Sequence, residues 1–390
     1  MRVLVAPDKF KGSLSAREAA EAIARGLLQS GIFQDKIELR PIADGGEGFA
    51  DALAKWKIFA RAHDALGREI VADYGWLDAE TAVVEMSAAS GLWRIAPHER
   101  DPLRANTFGT GELMRDALAR GAKKILVGLG GSATNDGGIG MAAALGYEFV
   151  TSDGEPLKPL PENLLALMHI KPPRADNKND AQIFQPPFFE NGELQKDDAA
   201  PIIIAACDVE NPLLGERGAS RIYGPQKGAD ARTIETLELS LEQLADIVAQ
   251  DLDCDFRDAP GAGAAGGLGF GLMSFCGAKM RSGFEIIAEA HQLEKTVAAS
   301  DFVITGEGRI DAQTLFGKGP ARIAALARKH GKPVIAFAGA VENETREQLA
   351  QIFDAMIEIA PRDVSQSESM RDAAHFLENA AMRAAGNFRA

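Results

Sequence analysis

The sequence predicts a two-domain α/β protein, and three observations carry that reading. A strand, a capped helix and a second strand follow one another within the first 42 residues, the order of a βαβ unit with parallel pairing. From about residue 282 to the C-terminus the same regular alternation returns, whereas the middle of the chain mixes short strand-like runs, turns and helices. At 390 residues the chain also exceeds one ordinary core. The expected architecture is therefore a discontinuous Rossmann- or flavodoxin-like parallel-sheet domain, residues 1–57 with 282–390. Residues 58–281 are inserted into it as a mixed α/β domain. Ligands of such proteins favour the crevice at the carboxyl ends of parallel strands, so the active site is expected in the cleft between the domains.

Taken in order, residues 3–6 are apolar and read as a buried strand. Ser15 followed by Glu18 is a capping box, and Ala19, Ala22, Ile23 and Leu27 continue it at helical spacing. A strand over 37–42 runs into the loop "ADGGEG". Residues 70–74 and 81–86 alternate as antiparallel strands do, and a helix over about 111–120 stops at Gly121. A strand over 125–129 leads through "GGSATNDGG" into an Ala-rich helix reaching about Leu145. Residues 171–200 hold Pro172, Pro173, Pro186 and Pro187 among polar residues and read as a surface excursion. Phe184, Phe188 and Phe189 are expected to pin it to the body. A strand over 202–206 precedes "CDVENPL", a polar helix spans about 231–250, and "PGAGAAGGLGFG" reads as a hinge or a nucleotide-contacting loop. The last third reads as helix (285–293), strand (302–305), loop (306–319), helix to about His330, strand (334–338), helix, strand (355–359) and one long terminal helix.

Composition narrows the function. A net charge of −14 and a pI near 5.0, with no run of five or more Lys/Arg, argue against nucleic acid as a partner. Three cysteines (Cys207, Cys254, Cys276) and six histidines form no zinc pattern and suit a reducing, cytoplasmic compartment. The N-terminal apolar run is too short for a signal peptide, and no apolar stretch approaches the roughly 18 residues of a membrane span.

Five polar, Gly-containing loops follow predicted strands: 7–13, 43–48, 130–138, 207–213 and 306–319. Each carries at least one Asp. The 130–138 loop suits an anion best, because glycines let backbone approach it, a helix start supplies N–H groups, and Ser132 and Thr134 add hydroxyls. Asn135 or Asp136 could equally cap the helix. "GAGAAG" fits the dinucleotide pattern only formally, since no apolar strand precedes it, and no Walker A or protein-kinase signature is present. Phosphoryl transfer needs cations around the moving phosphate, a metal held by carboxylates and a group that orients the attacking hydroxyl. The candidate carboxylates are Asp8, Asp44, Glu47, Asp208, Glu307 and Asp311; the candidate cations are Lys9, Lys11, Lys227, Arg309 and Lys318.

Seven ordered stretches between residues 4 and 318 together resemble the class II glycerate kinases: "APDKFKGSLSA", "PIADGGEG", "GLGGSATNDGG", "CDVENPLLG", "QKGA", "GAGAAGGLG" and "TGEGRIDAQTLFGK". Lys9 departs from the pattern, standing where the family usually has Ser. The resemblance implies ATP and Mg²⁺ as co-reactants, D-glycerate as acceptor and 2-phosphoglycerate as product, with no nucleic-acid or membrane partner. On this reading Asp311 orients or deprotonates the acceptor hydroxyl, with Asp208 the competitor for that role or for the metal. Arg309 or Lys318 neutralises the glycerate carboxylate or the γ-phosphate, and Lys11 joins the catalytic group. Asp8, Asp44, Gly45, Gly46, Glu47, Gly130, Gly131, Ser132, Thr134, Asn135, Asp136, Lys227, Gly266, Gly267 and Lys318 are the expected substrate- and nucleotide-binding set. Oligomeric state is left open.

Overall fold

The structure is a computed structural model, which describes residues 1–32, 36–173, 184–195, 200–315, 317–361 and 363–388. Its contacts divide the chain into two compact units, Met1–Asp44 with Phe284–Ala390, and Gly45–Gly283. The divide falls at Asp44 rather than at residue 57. The helix Phe49–Leu53 and the strand Trp56–His63 belong to the middle unit, where that helix packs on the strands Glu69–Trp76 and Thr81–Glu85.

In the terminal unit five strands form one parallel sheet in the order Ala355–Glu358, Val334–Val341, Phe302–Ile310, Val3–Val5, Ile37–Leu39. Counted along the chain within this unit, that is the flavodoxin-like order 2-1-3-4-5. Its strand order reverses between the first strand and Phe302–Ile310. The helix Ala16–Gln29 begins with the expected capping box and buries Ala19, Ala20, Ala22, Ile23 and Leu27 on one face. It packs with the helix Ala373–Ala384 over a core that includes Val3, Val5, Ile304, Phe337 and Leu377.

Two readings of this unit are corrected. The stretch after Thr305 is not yet loop, because Phe302–Ile310 stays paired with its neighbour as far as Arg309–Ala340 and Ile310–Val341. The loop is shorter than expected and contains the one-turn helix Ala312–Leu315 before the helix Gly319–Lys329. The terminal helix is two helices, Gln366–Arg371 and Ala373–Ala384.

The middle unit holds a six-stranded mixed sheet, ordered Lys279–Arg281, Ile202–Ala206, Lys124–Gly128, Thr81–Glu85, Glu69–Trp76, Trp56–His63. The first four strands are parallel and the last two antiparallel. Its core runs from Tyr74 and Trp76 through Ile125 and Leu244 to Phe270 and Phe275. The Gly/Ala-rich stretch read as a hinge or ligand-contacting loop divides in two: Ala265, Gly266 and Gly267 form a left-handed kink, and residues 268–276 are a buried helix. Residues before it form turns and no strand, so "GAGAAG" lacks the setting of a dinucleotide fingerprint. In the segment 171–200, residues 174–183 and 196–199 lie outside the described residues. Of its three phenylalanines, Phe184 and Phe189 are buried in the core, but Phe188 is 68% exposed and pins nothing.

Candidate active site

The crevice where a doubly wound sheet takes ligands lies outside the carboxyl ends of the two strands flanking the strand-order reversal. In the terminal unit these are Val3–Val5 and Phe302–Ile310, and a charged cluster occupies that position. Asp8 sits just past the first strand and is only 6% exposed. Its backbone N–H donates to the Gly306 carbonyl (2.8 Å) of the neighbouring strand, and the Ile42 N–H donates to the Pro7 carbonyl (2.9 Å), so the chain is tied on both sides at this point. Asp8 Oδ1 accepts the Lys9 N–H at 2.6 Å. Lys9 Nζ stands 3.9 Å from Asp44 Oδ1. Burial, reinforced by the negative charge of Asp44, pushes the Asp8 carboxyl up to about 7, against the lesser pull of Lys9.

Glu307 projects from the second strand and is also buried, which raises its carboxyl above the ordinary range against the opposing charge of Lys318. The Thr314 hydroxyl donates to Glu307 Oε1 at 2.7 Å, and Lys318 Nζ lies 3.6 Å from Oε2. Lys318 also faces Asp311 Oδ1 at 3.9 Å, while Arg309 Nε lies 3.5 Å from Asp311 Oδ2. Arg309 further reaches Glu342 Oε1 at 3.3 Å, and Glu342 Oε2 accepts the Ala312 N–H. Asp8, Lys9 and Asp44 thus form one side of the cluster, and Glu307, Arg309, Asp311 and Lys318 the other. Lys11 lies exposed in the turn that follows Phe10. Thr314 and Glu342 were missed from the sequence. Thr314 stands in the expected 306–319 loop with nothing in the sequence to mark it as a partner of Glu307, and Glu342 lies beyond the expected end of the strand over 334–338.

In the middle unit, the carboxyl ends of the parallel strands gather a second set of loops. Gly45 lies against the Ala206 carbonyl and Gly130 against Gly46. Glu47 is exposed in the same loop, and Glu85 Oε1 accepts the Ala50 N–H at 2.7 Å. Gly131 and Ser132 follow, the Leu92 N–H donating to the Gly131 carbonyl. Asp208, past the end of Ile202–Ala206, accepts from Ser282 Oγ (2.6 Å) and the Gly283 N–H (3.2 Å).

The second half of the 130–138 loop turns inward. Thr134, Asn135 and Asp136 are fully buried. Asp136 accepts from the Thr107 N–H and hydroxyl (both 2.8 Å) and from the Gly138 and Gly140 N–H groups, which ties the start of the helix Phe108–Ala119 to that of Ile139–Ala144. Burial raises its carboxyl. Lys227 is buried too, donates to the Thr134 carbonyl at 2.6 Å, and is lowered to about 7 by that burial. Gly266 supports the loop from beneath. Its φ is +71°, and a Cβ there would stand 1.9 Å from the Thr134 carbonyl oxygen. Gly267 packs likewise against Gly137. In this structure the polar groups of Asp136 and Lys227 are used within the unit, so they, with Gly266 and Gly267, shape the loop and do not line its surface.

Among the described residues no three His, Cys, Asp or Glu side chains converge as a preformed metal site.

Residues 3–389 match the family model described as the glycerate kinase family. A glycerate kinase from Halalkalibacterium halodurans is 41% identical, the alignment covering 97% of this chain and 96% of that protein. A glycerate 2-kinase from Escherichia coli is 40% identical over 96% of this chain and 94% of the other. The crystal structure of a glycerate kinase 2 from Salmonella typhimurium superposes with a TM-score of 0.82 at 38% identity, covering 100% of this chain and 98% of that one.

Proposed function

The chain belongs to the glycerate kinase family and is a kinase, and from that premise we propose that it transfers the γ-phosphoryl group of ATP to D-glycerate, giving 2-phospho-D-glycerate. The observation that carries the reading is Lys318. It begins the helix Gly319–Lys329 beside the crevice, between the carboxylates of Glu307 and Asp311. A cation held in place by two acids can meet a carboxylate or a phosphoryl group without first being ordered, which is the positioning that phosphoryl transfer needs.

Arg309 and Lys318 are assigned to the anionic groups of the acceptor and the transferred phosphoryl. Asp311 is assigned to holding both, since its two oxygens face Lys318 and Arg309 and Oδ1 also accepts the Gln313 N–H (2.9 Å). Gly45, Gly46, Gly130, Gly131 and Ser132, with Glu47, are assigned to the nucleotide on the strength of their common edge. Asp208 is the residue that would hold Mg²⁺ together with the nucleotide phosphates, where the ion would neutralise phosphate charge.

The test is product analysis. With ATP, Mg²⁺ and D-glycerate, the product should be consumed by added enolase alone. A requirement for a phosphoglycerate mutase would place the phosphate on the 3-hydroxyl, and an absence of glycerate-dependent ADP would overturn the substrate assignment.

A further inference from the structure

We infer that Asp8 is the catalytic base, its Oδ2 taking the proton from the acceptor hydroxyl as that oxygen attacks the γ-phosphorus; this rests on the kinase reading above. In that step the hydroxyl O–H bond breaks and an O–P bond forms. The bond between the γ-phosphorus and the β,γ-bridging oxygen breaks, ADP departs with its electron pair, and Asp8 later returns the proton to solvent.

The geometry singles out this oxygen. Asp8 is nine-tenths buried, yet Oδ2 has no hydrogen-bond partner among the described residues, whereas Oδ1 is fixed by the Lys9 N–H. Oδ2 itself is not sealed from solvent, so a substrate hydroxyl can reach it. The other acids of the cluster are engaged. Glu307 accepts from Thr314 and faces Lys318, Asp311 faces Arg309 and Lys318, and Asp44 faces Lys9. The Oδ2 atom points at the first residue of the helix Gly319–Lys329, and a Cβ on Gly319 would meet it at 3.3 Å and Ile42 Cδ1 at 3.0 Å. Glycine there keeps open the space beside Oδ2. The backbone of Asp8 is held to the strand Phe302–Ile310 through the Gly306 carbonyl, and Pro7 before it to Ile42, the rigid mounting a base needs.

The charged groups around Asp8 are Lys9 and Asp44, Glu307 on the adjacent strand, and Lys318 at the helix start, which faces Glu307. Burial and Asp44 hold the carboxyl near 7, where a base is poised for work at neutral pH. Because the active form is deprotonated, activity should rise with pH through that region.

The experiment is a pH profile of kcat/KM for D-glycerate in wild type, Asp8→Asn and Lys9→Gln, with melting temperature and ATP affinity measured on each. Wild type should show one ascending limb near neutrality. Asp8→Asn should fold, bind ATP normally, lose about 10²–10⁴ in kcat with a several-fold change in KM at most, and show no limb in its residual rate. Lys9→Gln removes the nearby positive charge and should move the limb to higher pH. Folded Asp8→Asn with more than a tenth of wild-type kcat, or a limb unmoved in Lys9→Gln, overturns the assignment. Wild type that forms no phosphoglycerate at any pH overturns the kinase reading, and this assignment with it.

Discussion

Asp8 carries a thermodynamic signature separate from its chemistry. An unfolded aspartate loses its proton near 3.8, and the folded one near 7 because of burial. Between those values the folded state holds one more proton than the unfolded state, so stability falls as pH rises through the window and levels off above it. Each pH unit between the two values is worth about 1.4 kcal/mol, so the accumulated cost is a few kcal/mol. Asp8→Asn should therefore be more stable than wild type at pH 8, with the gap closing towards pH 4, as read from urea midpoints across that range. A gap that stays constant with pH would contradict burial as its cause. Lys227 is buried with the opposite charge type, and its fall to about 7 suits a strut that holds the Thr134 carbonyl rather than a surface cation.

At the scale of elements, the segment 184–195 is anchored by aromatic side chains. Phe189 packs edge-on to Phe256 with ring centroids 5.7 Å apart, and Phe184 is 3% exposed. Phe184→Ala and Phe189→Ala should each cost about 3–5 kcal/mol by chemical denaturation, whereas Phe188→Ala should stay within about 0.5 kcal/mol. The capping box, the parallel pairing of the first two strands and the strand Ile202–Ala206 were readable because caps and apolar runs are local signals. The far half of Phe302–Ile310 was not, since its Gly, Glu and Arg residues have little strand preference and are held by pairing with Val334–Val341. The helix over residues 268–276 was hidden for a related reason. Gly269 and Gly271 argue against a helix locally, but Gly271 lets it pack close against Gly137 and Gly138. The acids and cations of the candidate site were legible as loop residues. Which of them face a crevice and which are spent inside, as Asp136 and Lys227 are, depends on burial that no spacing reveals.

On the scale of the whole molecule, each unit has its own core, and the middle one is continuous in sequence. A chain of residues 45–283 should therefore fold by itself, giving near-ultraviolet circular dichroism and one cooperative urea transition. A fragment lacking fixed tertiary signal would show that its sheet needs the terminal segments. Separate pieces 1–44 and 284–390 should show no such signal alone, since the first strand takes Phe302–Ile310 as one neighbour and Ile37–Leu39 as the other.

That split sheet bears on how the chain is made. The first strand leaves the ribosome about 300 residues ahead of the strand that must lie beside it. At roughly 5–20 residues per second, tens of seconds pass before the partner exists. The middle unit, complete by residue 283, can fold meanwhile, but residues 3–5 and the helix Ala16–Gln29 have only each other and the strand Ile37–Leu39 for cover until Phe302–Ile310 and the helix Ala373–Ala384 are made. Nascent chains stalled before residue 302 should therefore recruit holding chaperones through their N-terminal 30 residues.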